Sequence, residues 1–198
     1  MSFWFPKRRY SAVALFSQDL DHVLLIHKQK PAWQAGKANF PGGKVEESDQ
    51  PADSESHKQT SEYHNCAHRE LLEETGLDVP AAQLQLFCVL RFETAEEGTG
   101  ECRFFAAASS EVFDYETKEA EQVFVGDVAD VVTGGVYAQI WSNLAMNWET
   151  ETLPTMPNLP YLVTMAQQCL RSEGVGSWPL TIYERGHVYG QIGNTPWM

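Results

Sequence analysis

Short apolar runs alternate with polar turns along the first part of the chain. Ser11 to Phe16 and Val23 to His27 are separated by Asp19-Leu20-Asp21-His22, and two strands joined by a turn account for them. From Pro31 to Gly43 the pattern gives way to loop chemistry: Trp33, Gly36, Asn39, then Phe40-Pro41-Gly42-Gly43. Paired glycines after a proline mark backbone that approaches a neighbour closely or takes positive φ. Glu46 to Glu62 is polar and nearly free of apolar residues, which predicts a solvated insertion or disordered loop, centred on 50–61, that carries no core. A helix is predicted from Glu62 to Thr75, closed by Gly76 just past its last turn. Leu84 to Phe92 and Cys102 to Ala108 read as strands flanking an acidic, glycine-bearing tip, Glu93 to Glu101. Gln122 to Val125 is a further short strand, and Gly126 to Val132 a loop or short helix. Leu159, Leu162, Val163, Ala166, Cys169 and Leu170 recur at helical spacing between Asn158-Leu159-Pro160 and Gly174, so a core-facing helix is expected there. Trp178 to Glu184 and His187 to Ile192, joined through Arg185-Gly186, predict a closing hairpin. There is no internal repeat.

Composition narrows the class. The 198 residues, 43% hydrophobic and 12% aromatic, suit one folded domain and exclude a disordered or fibrous chain. Fourteen basic against twenty-seven acidic residues give a net charge of −13, which repels a phosphate backbone and argues against a nucleic-acid partner. A phosphorylated substrate would need a divalent cation to hold it. Cys66, Cys88, Cys102 and Cys169 form no Cys-x-x-Cys pair, so reduced thiols in a cytoplasm are expected rather than a disulfide framework or a zinc ribbon. Lys7-Arg8-Arg9 followed by Tyr10 to Phe16 mimics a signal peptide, but its apolar stretch is too short for one and is read as a first strand. No apolar run approaches the roughly 18 residues of a membrane helix, and no membrane partner is expected.

The chemistry concentrates in Arg69-Glu70-Leu71-Leu72-Glu73-Glu74-Thr75-Gly76-Leu77. On a helix, Glu70, Glu73 and Glu74 share an arc about 100° wide. Like charges at that spacing cost about 0.2–0.5 kcal/mol per pair, a penalty that a bound cation removes. Oxygen donors of this kind suit Mg²⁺ or Mn²⁺ rather than zinc. Arg69 stands four residues before Glu73 and can pin it. Taken alone, such a run is more often the solvated face of a surface helix.

The context changes that reading. Gly42-Gly43-Lys44-Val45-Glu46 followed by Arg69 to Leu77 resembles the Nudix box, whose pattern is Gly, five residues, Glu, seven residues, then Arg-Glu-apolar-x-Glu-Glu-x-Gly-apolar. The second half is matched at every specified position, and the Phe40-Pro41-Gly42-Gly43 lead-in is similar to the family's. Two departures stand out: Asp49 replaces the glutamate, and nineteen residues instead of seven separate it from Arg69, an insertion of twelve placed within Gln50 to Ser61. The resemblance implies an α/β/α sandwich with a mixed β-sheet and a loop-helix-loop metal site, spanning about 1–174, with 175–198 as an extension packed on it. It further implies metal-dependent hydrolysis of a phosphoanhydride in a nucleoside diphosphate-linked substrate, with Mg²⁺ as cofactor and Mn²⁺ as possible substitute. Carried over residue by residue, the Gly42 or Gly43 carbonyl with Glu70, Glu73 and Glu74 becomes the metal site, with Arg69 and Asp49 as structural support. Glu70, Glu73 and Glu119 become the catalytic candidates, and Glu70 and Glu119 compete as general base.

Weaker signals surround the box. Trp33, Asn39 and Phe40 offer aromatic faces and an amide for a base, against the alternative that the rings are ordinary core. Arg9 could approach a substrate phosphate, or be a solvated strand end. His57, His64, Cys66 and His68 make a tempting second metal cluster, but helical angles turn His64 and His68 away from Glu70. Relatives that cleave ADP-ribose often carry a proline past the box, and dinucleotide hydrolases a tyrosine; Cys88 to Thr94 contains neither. That favours a nucleoside triphosphate substrate, with ADP-ribose, nucleotide sugars or dinucleotides as the alternative. A non-catalytic nucleotide sensor is the reading from another class, and both monomer and homodimer remain open.

Overall fold

Strand β1, Arg8–Phe16, sends Val13 and Leu15 to one side and Ala14 and Phe16 to the other, and all four are fully buried. A strand apolar on both faces must lie inside a sheet covered on both faces. The computed structural model describes residues 6–51, 61–94, 98–116, 122–142, 147–172 and 179–185. After β1 come β2 His22–His27, β3 Ala38–Asn39, β4 Gly42–Lys44, helix α1 Glu62–Thr75, β5 Gln85–Thr94, β6 Gly98–Ala108, β7 Gln122–Asp127 and α2 Val128–Val132. β8 Gly135–Ser142, β9 Asn147–Pro154, α3 Leu159–Arg171 and β10 Leu180–Arg185 complete the order.

Eight strands form one mixed sheet in the order β10-β5-β6-β1-β2-β3, with β4 paired to β1 and β7 to β2; β8 and β9 form a separate antiparallel hairpin. β1 runs parallel to β6 along its whole length, Arg8 opposite Gly100 to Phe16 opposite Ala108. Its other edge is forked: Tyr10 to Ala12 pair with the glycine strand β4, and only Phe16 pairs with β2, at Val23. The box loop occupies the fork. On one face α1 packs through Tyr63, Cys66, Ala67 and Leu71 onto Val13, Leu15, Leu24 and Phe105. On the other, α3 packs through Leu159, Leu162, Val163 and Ala166, with Val128 and Val131 of α2, onto Phe16, Leu25, Phe104 and Phe124. This is the α/β/α sandwich with a mixed sheet that the box implied. No helix among the described residues is long and apolar enough to cross a membrane.

Two expectations are corrected. The stretch after Glu46 is not all solvated: Glu47–Asp49 forms a turn of 3-10 helix and Asp49 is 2% exposed, because its carboxylate is drawn inward to Arg69. The acidic tip is shorter than Glu93 to Glu101, since β6 starts at Gly98 and Glu101 is buried, accepting from Arg91 Nε at 2.9 Å and Arg103 Nε at 3.0 Å. The first strand of the expected closing hairpin is β10, which runs parallel to β5, Leu180 opposite Cys88; the second strand lies outside the described residues. The β8–β9 hairpin was not anticipated.

Candidate active site

Helix α1 begins at Ser61, whose Oγ lies 3.0 Å from His64 Nδ1, and ends where Gly76, at φ 76°, donates its N–H to Leu72 O at 2.9 Å. Only a left-handed residue lets the chain turn off the helix there without strain. The buried face of the helix includes Tyr63, Ala67, Leu71 and Glu74, so the last glutamate of the run points inward with the apolar stripe. The three carboxylates are therefore graded: the Glu74 side chain is 8% exposed, Glu70 15% and Glu73 48%.

Each is held differently. Glu74 Oε1 accepts from Lys28 Nζ at 3.1 Å and Glu74 Oε2 from the Gly42 N–H at 2.7 Å. Burial nevertheless pushes its carboxyl up to about 7, against the pull of Lys28 and the Gly42 amide. Glu70 is also raised by burial, against the opposing pull of Arg69. Arg69 Nη1 donates to Glu70 Oε1 and to Glu73 Oε2, both at 2.9 Å, so one cationic nitrogen bridges the two outer carboxylates. The rest of the guanidinium faces the loop: Nε and Nη2 grip Asp49 Oδ1 and Oδ2 at 2.9 and 3.0 Å, and Nη2 reaches Lys44 O at 3.1 Å. Burial raises the Asp49 carboxyl, but the guanidinium and the Glu46 N–H outweigh it and hold Asp49 below the usual carboxylate range. Asp49, one methylene shorter than the residue in the family pattern, makes a two-pronged contact to Arg69.

The glycines set the approach of loop to helix. A Cβ on Gly43 would lie 2.4 Å from Glu70 Oε1, so the carboxylate rests directly on the glycine. A Cβ on Gly42, at φ 150°, would lie 2.2 Å from Ser11 O and 2.6 Å from Ala12 Cα. The obstacles differ, and so do the expected outcomes. Gly42→Ala forces backbone off β1 and is expected to cost about 2–4 kcal/mol in chemical denaturation. Gly43→Ala displaces only the end of a side chain, so it should melt close to wild type yet lose about 100-fold in turnover through the misplaced Glu70. Equal melts for the two variants would contradict this division.

Other candidate residues fall elsewhere. Phe40 is 1% exposed in the core on the α3 side and presents no ring face to a base. Asn39 accepts from its neighbour Phe40 N–H at 2.9 Å and donates to Gln34 Oε1 at 3.1 Å. Trp33 is half-buried and packs against the same core. Arg9 forms an ion pair with Glu62 in the first turn of α1. Glu119 and His57 lie outside the described residues. His64 is lowered by burial and by Arg103 and packs tilted against Phe105 with ring centroids 4.5 Å apart, whereas His68 pairs with Asp78 at 2.8 Å. Burial pushes the Cys66 thiol up to about 12, and its Sγ faces the Gly43 carbonyl at 3.9 Å. The second metal cluster does not form from His64, Cys66 and His68. Lys28, the partner of Glu74, was missed; its only trace in the sequence is a basic residue directly after the apolar run of β2.

Among the described residues, no group of three or more His, Cys, Asp and Glu side chains converges enough to hold a metal as placed. The donor chemistry nevertheless fits a hard divalent cation: Glu70, Glu73 and Glu74 are all-oxygen donors above a glycine that leaves room for them. Arg69 Nη1 demonstrates that two of them can share one positive centre.

The model of the NUDIX domain matches residues 6–133. The chain belongs to the NUDIX family of hydrolases, which act on nucleoside diphosphate derivatives and generally use divalent metal ions. Among solved structures, a NUDIX hydrolase from Alicyclobacillus acidocaldarius is similar over 85% of this chain and 97% of its own, at 15% identity and TM-score 0.56. A MutT NUDIX hydrolase from Burkholderia pseudomallei covers 82% and 98%, at 17% identity and TM-score 0.51. The NUDIX domain of Shewanella oneidensis NrtR, solved with ADP ribose, covers 84% and 90%, at 17% identity and TM-score 0.51. At these identities the likeness shows the fold. No curated protein matches the chain.

Proposed function

We propose that this chain is a Mg²⁺-dependent nucleoside triphosphate pyrophosphohydrolase, releasing a nucleoside monophosphate and pyrophosphate, with Mn²⁺ able to substitute. The observation that carries the reading is the graded strip Glu74, Glu70, Glu73 set against the Gly42-Gly43 turn. The Gly43 carbonyl, Glu70, Glu73 and Glu74 would hold the cation. When bound, the cation neutralises diphosphate charge and lowers the pKa of a water. The chain's own residues do the remainder. Arg69 and Asp49 lock the helix to the loop so that the carboxylates keep their positions. Glu70, half-withdrawn from solvent, takes a proton from the attacking water, or leaves that role to Glu119. Trp33 remains the aromatic wall available to a base.

Residues 1–174 form the catalytic domain in this reading and 175–198 an extension; the pairing of β10 with β5 supports its packing on that domain. The free cysteines Cys66, Cys88, Cys102 and Cys169 suit a reducing cytoplasm. An ADP-ribose or dinucleotide pyrophosphatase is the second reading, favoured by the likeness to a domain that binds ADP ribose.

A substrate panel tests this. Purified protein with Mg²⁺ or Mn²⁺ is offered the deoxynucleoside triphosphates, an oxidised guanine triphosphate, ADP-ribose, NADH and diadenosine polyphosphates, with products separated by chromatography. Pyrophosphate and a monophosphate from a triphosphate are expected. Cleavage confined to ADP-ribose or dinucleotides would replace the first reading by the second. Nucleotide binding without turnover would identify a sensor.

A further inference from the structure

The first turn of α1 sits on polar residues of the sheet rather than on the apolar face that holds the rest of the helix. Arg9, Glu101 and Arg91 stand side by side across β1, β6 and β5, and Ser11 and Arg103 form the next row. Arg9 pairs with Glu62. Ser11 Oγ donates to the Tyr63 carbonyl at 2.8 Å, and the Arg103 guanidinium carbon lies 3.8 Å from the centroid of the Tyr63 ring. Glu101, 3% exposed, fixes that guanidinium from behind: Oε1 accepts from Arg103 Nε at 3.0 Å while Oε2 accepts from Arg91 Nε at 2.9 Å. Ser11 is also the β1 partner of Gly43, the glycine against which Glu70 rests, so the seat of the helix and the floor of the carboxylates share one residue. Further along the helix, Ala67 and Leu71 meet Val13, Leu15 and Phe105. Apolar contact of that kind is non-directional and does not by itself fix where a helix starts.

The connection into α1 does not fix it either. In the box pattern seven residues separate the acidic position from the arginine, and Glu62 to His68 are those seven here, so position 49 would run straight into the helix. In this chain Gln50 to Ser61 intervene, and the entropic cost of bringing the helix start to its place rises with the length of the tether. Tether and seat act on one equilibrium, the docking of the first turn, and their contributions multiply. We propose that Tyr63, held by Arg103 and Glu101, is a positioning residue that seats the first turn of α1 on the sheet and supplies the constraint which the twelve-residue insertion removes. Tyr63 stands about two turns before Glu70, so a tilt of the helix at Tyr63 shifts Glu70 against Gly43. The seat itself is independent of the proposed function, and only its effect on turnover rests on that reading.

The test compares the wild type with Tyr63→Leu, which keeps apolar volume but removes the ring beneath Arg103. Each is made with three lengths of the insertion: unaltered, with about ten Gly and Ser residues added within 50–61, and with 50–61 excised. Amide hydrogen exchange over 62–68 is read by mass spectrometry without metal or substrate. It is expected to be about 10-fold faster in Tyr63→Leu, the size of a desolvated guanidinium–aromatic contact. The longer insertion should speed it about 2–3-fold further in either background, and excision should slow it again. Turnover follows the docked fraction: kcat of Tyr63→Leu falls with the added residues and recovers on excision to within about 2-fold of the wild type, whereas the wild type, already docked, changes by less than about 2-fold. Exchange unchanged by Tyr63→Leu would overturn the proposal. So would a kcat loss that is the same at every length, because a tyrosine that only supports the fold is not replaced by a shorter tether. Should the excised form fail to fold, the lengthened form carries the comparison alone. A wild type that turns over none of the nucleotides offered removes the proposed function and leaves the exchange result to decide the seat.

Discussion

Replacing Glu74 by glutamine is expected to lower turnover by about 10³-fold or more, a loss of about 4 kcal/mol of transition-state stabilisation. The substitution keeps shape: a glutamine can still accept from the Gly42 N–H, so the loop stays on the helix. What it removes is charge, at the most buried of the three carboxylates. It also takes the Glu74 charge away from a Lys28 side chain that is 10% exposed, so the melting temperature should fall together with activity. Steady-state kinetics across a Mg²⁺ series, with thermal denaturation alongside, reads both effects. Turnover equal to wild type would take Glu74 out of the site.

Arg69→Ala is expected to be the most destabilising single change in the box, at about 3–5 kcal/mol, a large share of the roughly 5–15 kcal/mol that holds a domain together. The guanidinium holds both oxygens of Asp49, which at 2% exposure has no water to turn to. The acid limb of the stability curve gives a second readout. In the wild type the Asp49 carboxyl lies below its ordinary value, so its contribution is complete above the unfolded value of about 3.9 and is lost as pH falls through the lower native one. Without Arg69 the same buried carboxyl titrates above its unfolded value, and its effect changes sign: the variant recovers part of its deficit as pH falls toward 4. Denaturant titrations across the acid range distinguish the two, and Asp49→Asn in the Arg69→Ala background should flatten the difference.

Much of this was legible in the sequence because local and global signals agreed. The bounds of α1 follow from its glycine cap and from Tyr63, Ala67 and Leu71 at helical spacing, and the buried strands follow from unbroken apolar runs such as Val23 to Ile26. The box placed four polar residues whose partners the structure then supplied. What escaped was everything decided by pairing across distance. Lys28 and Glu74 stand forty-six residues apart, and nothing local separates a lysine that neutralises a buried glutamate from one in solvent. Glu101 escaped in part for the same reason: Arg91 lies opposite it on β5, and together with Arg103, two residues along β6, turns a residue that looks like loop surface into interior. Asp49 was legible as a departure from the family pattern but not as buried, since a polar neighbourhood hides one inward residue. The β8–β9 hairpin left little trace because neither of its strands carries an apolar run as long as those of β1 and β2.

The fork in β1 divides the site between two ladders. Glycine strand and catalytic helix travel with β1 and β6, tied by Gly42 to Ala12, Gly43 to Ser11 and Lys44 to Tyr10. Lys28 and the Trp33 loop travel with β2 and β7, paired from His22 to His27. Between them on this edge the ladder has one rung, Phe16 to Val23, at the far end. The gap is closed by chain rather than by ladder: Phe40, 1% exposed, and Pro41, whose carbonyl accepts from Val13 N–H at 2.9 Å, carry β3 directly into β4, so the lysine side and the carboxylate side are stitched together where the substrate's charge would enter.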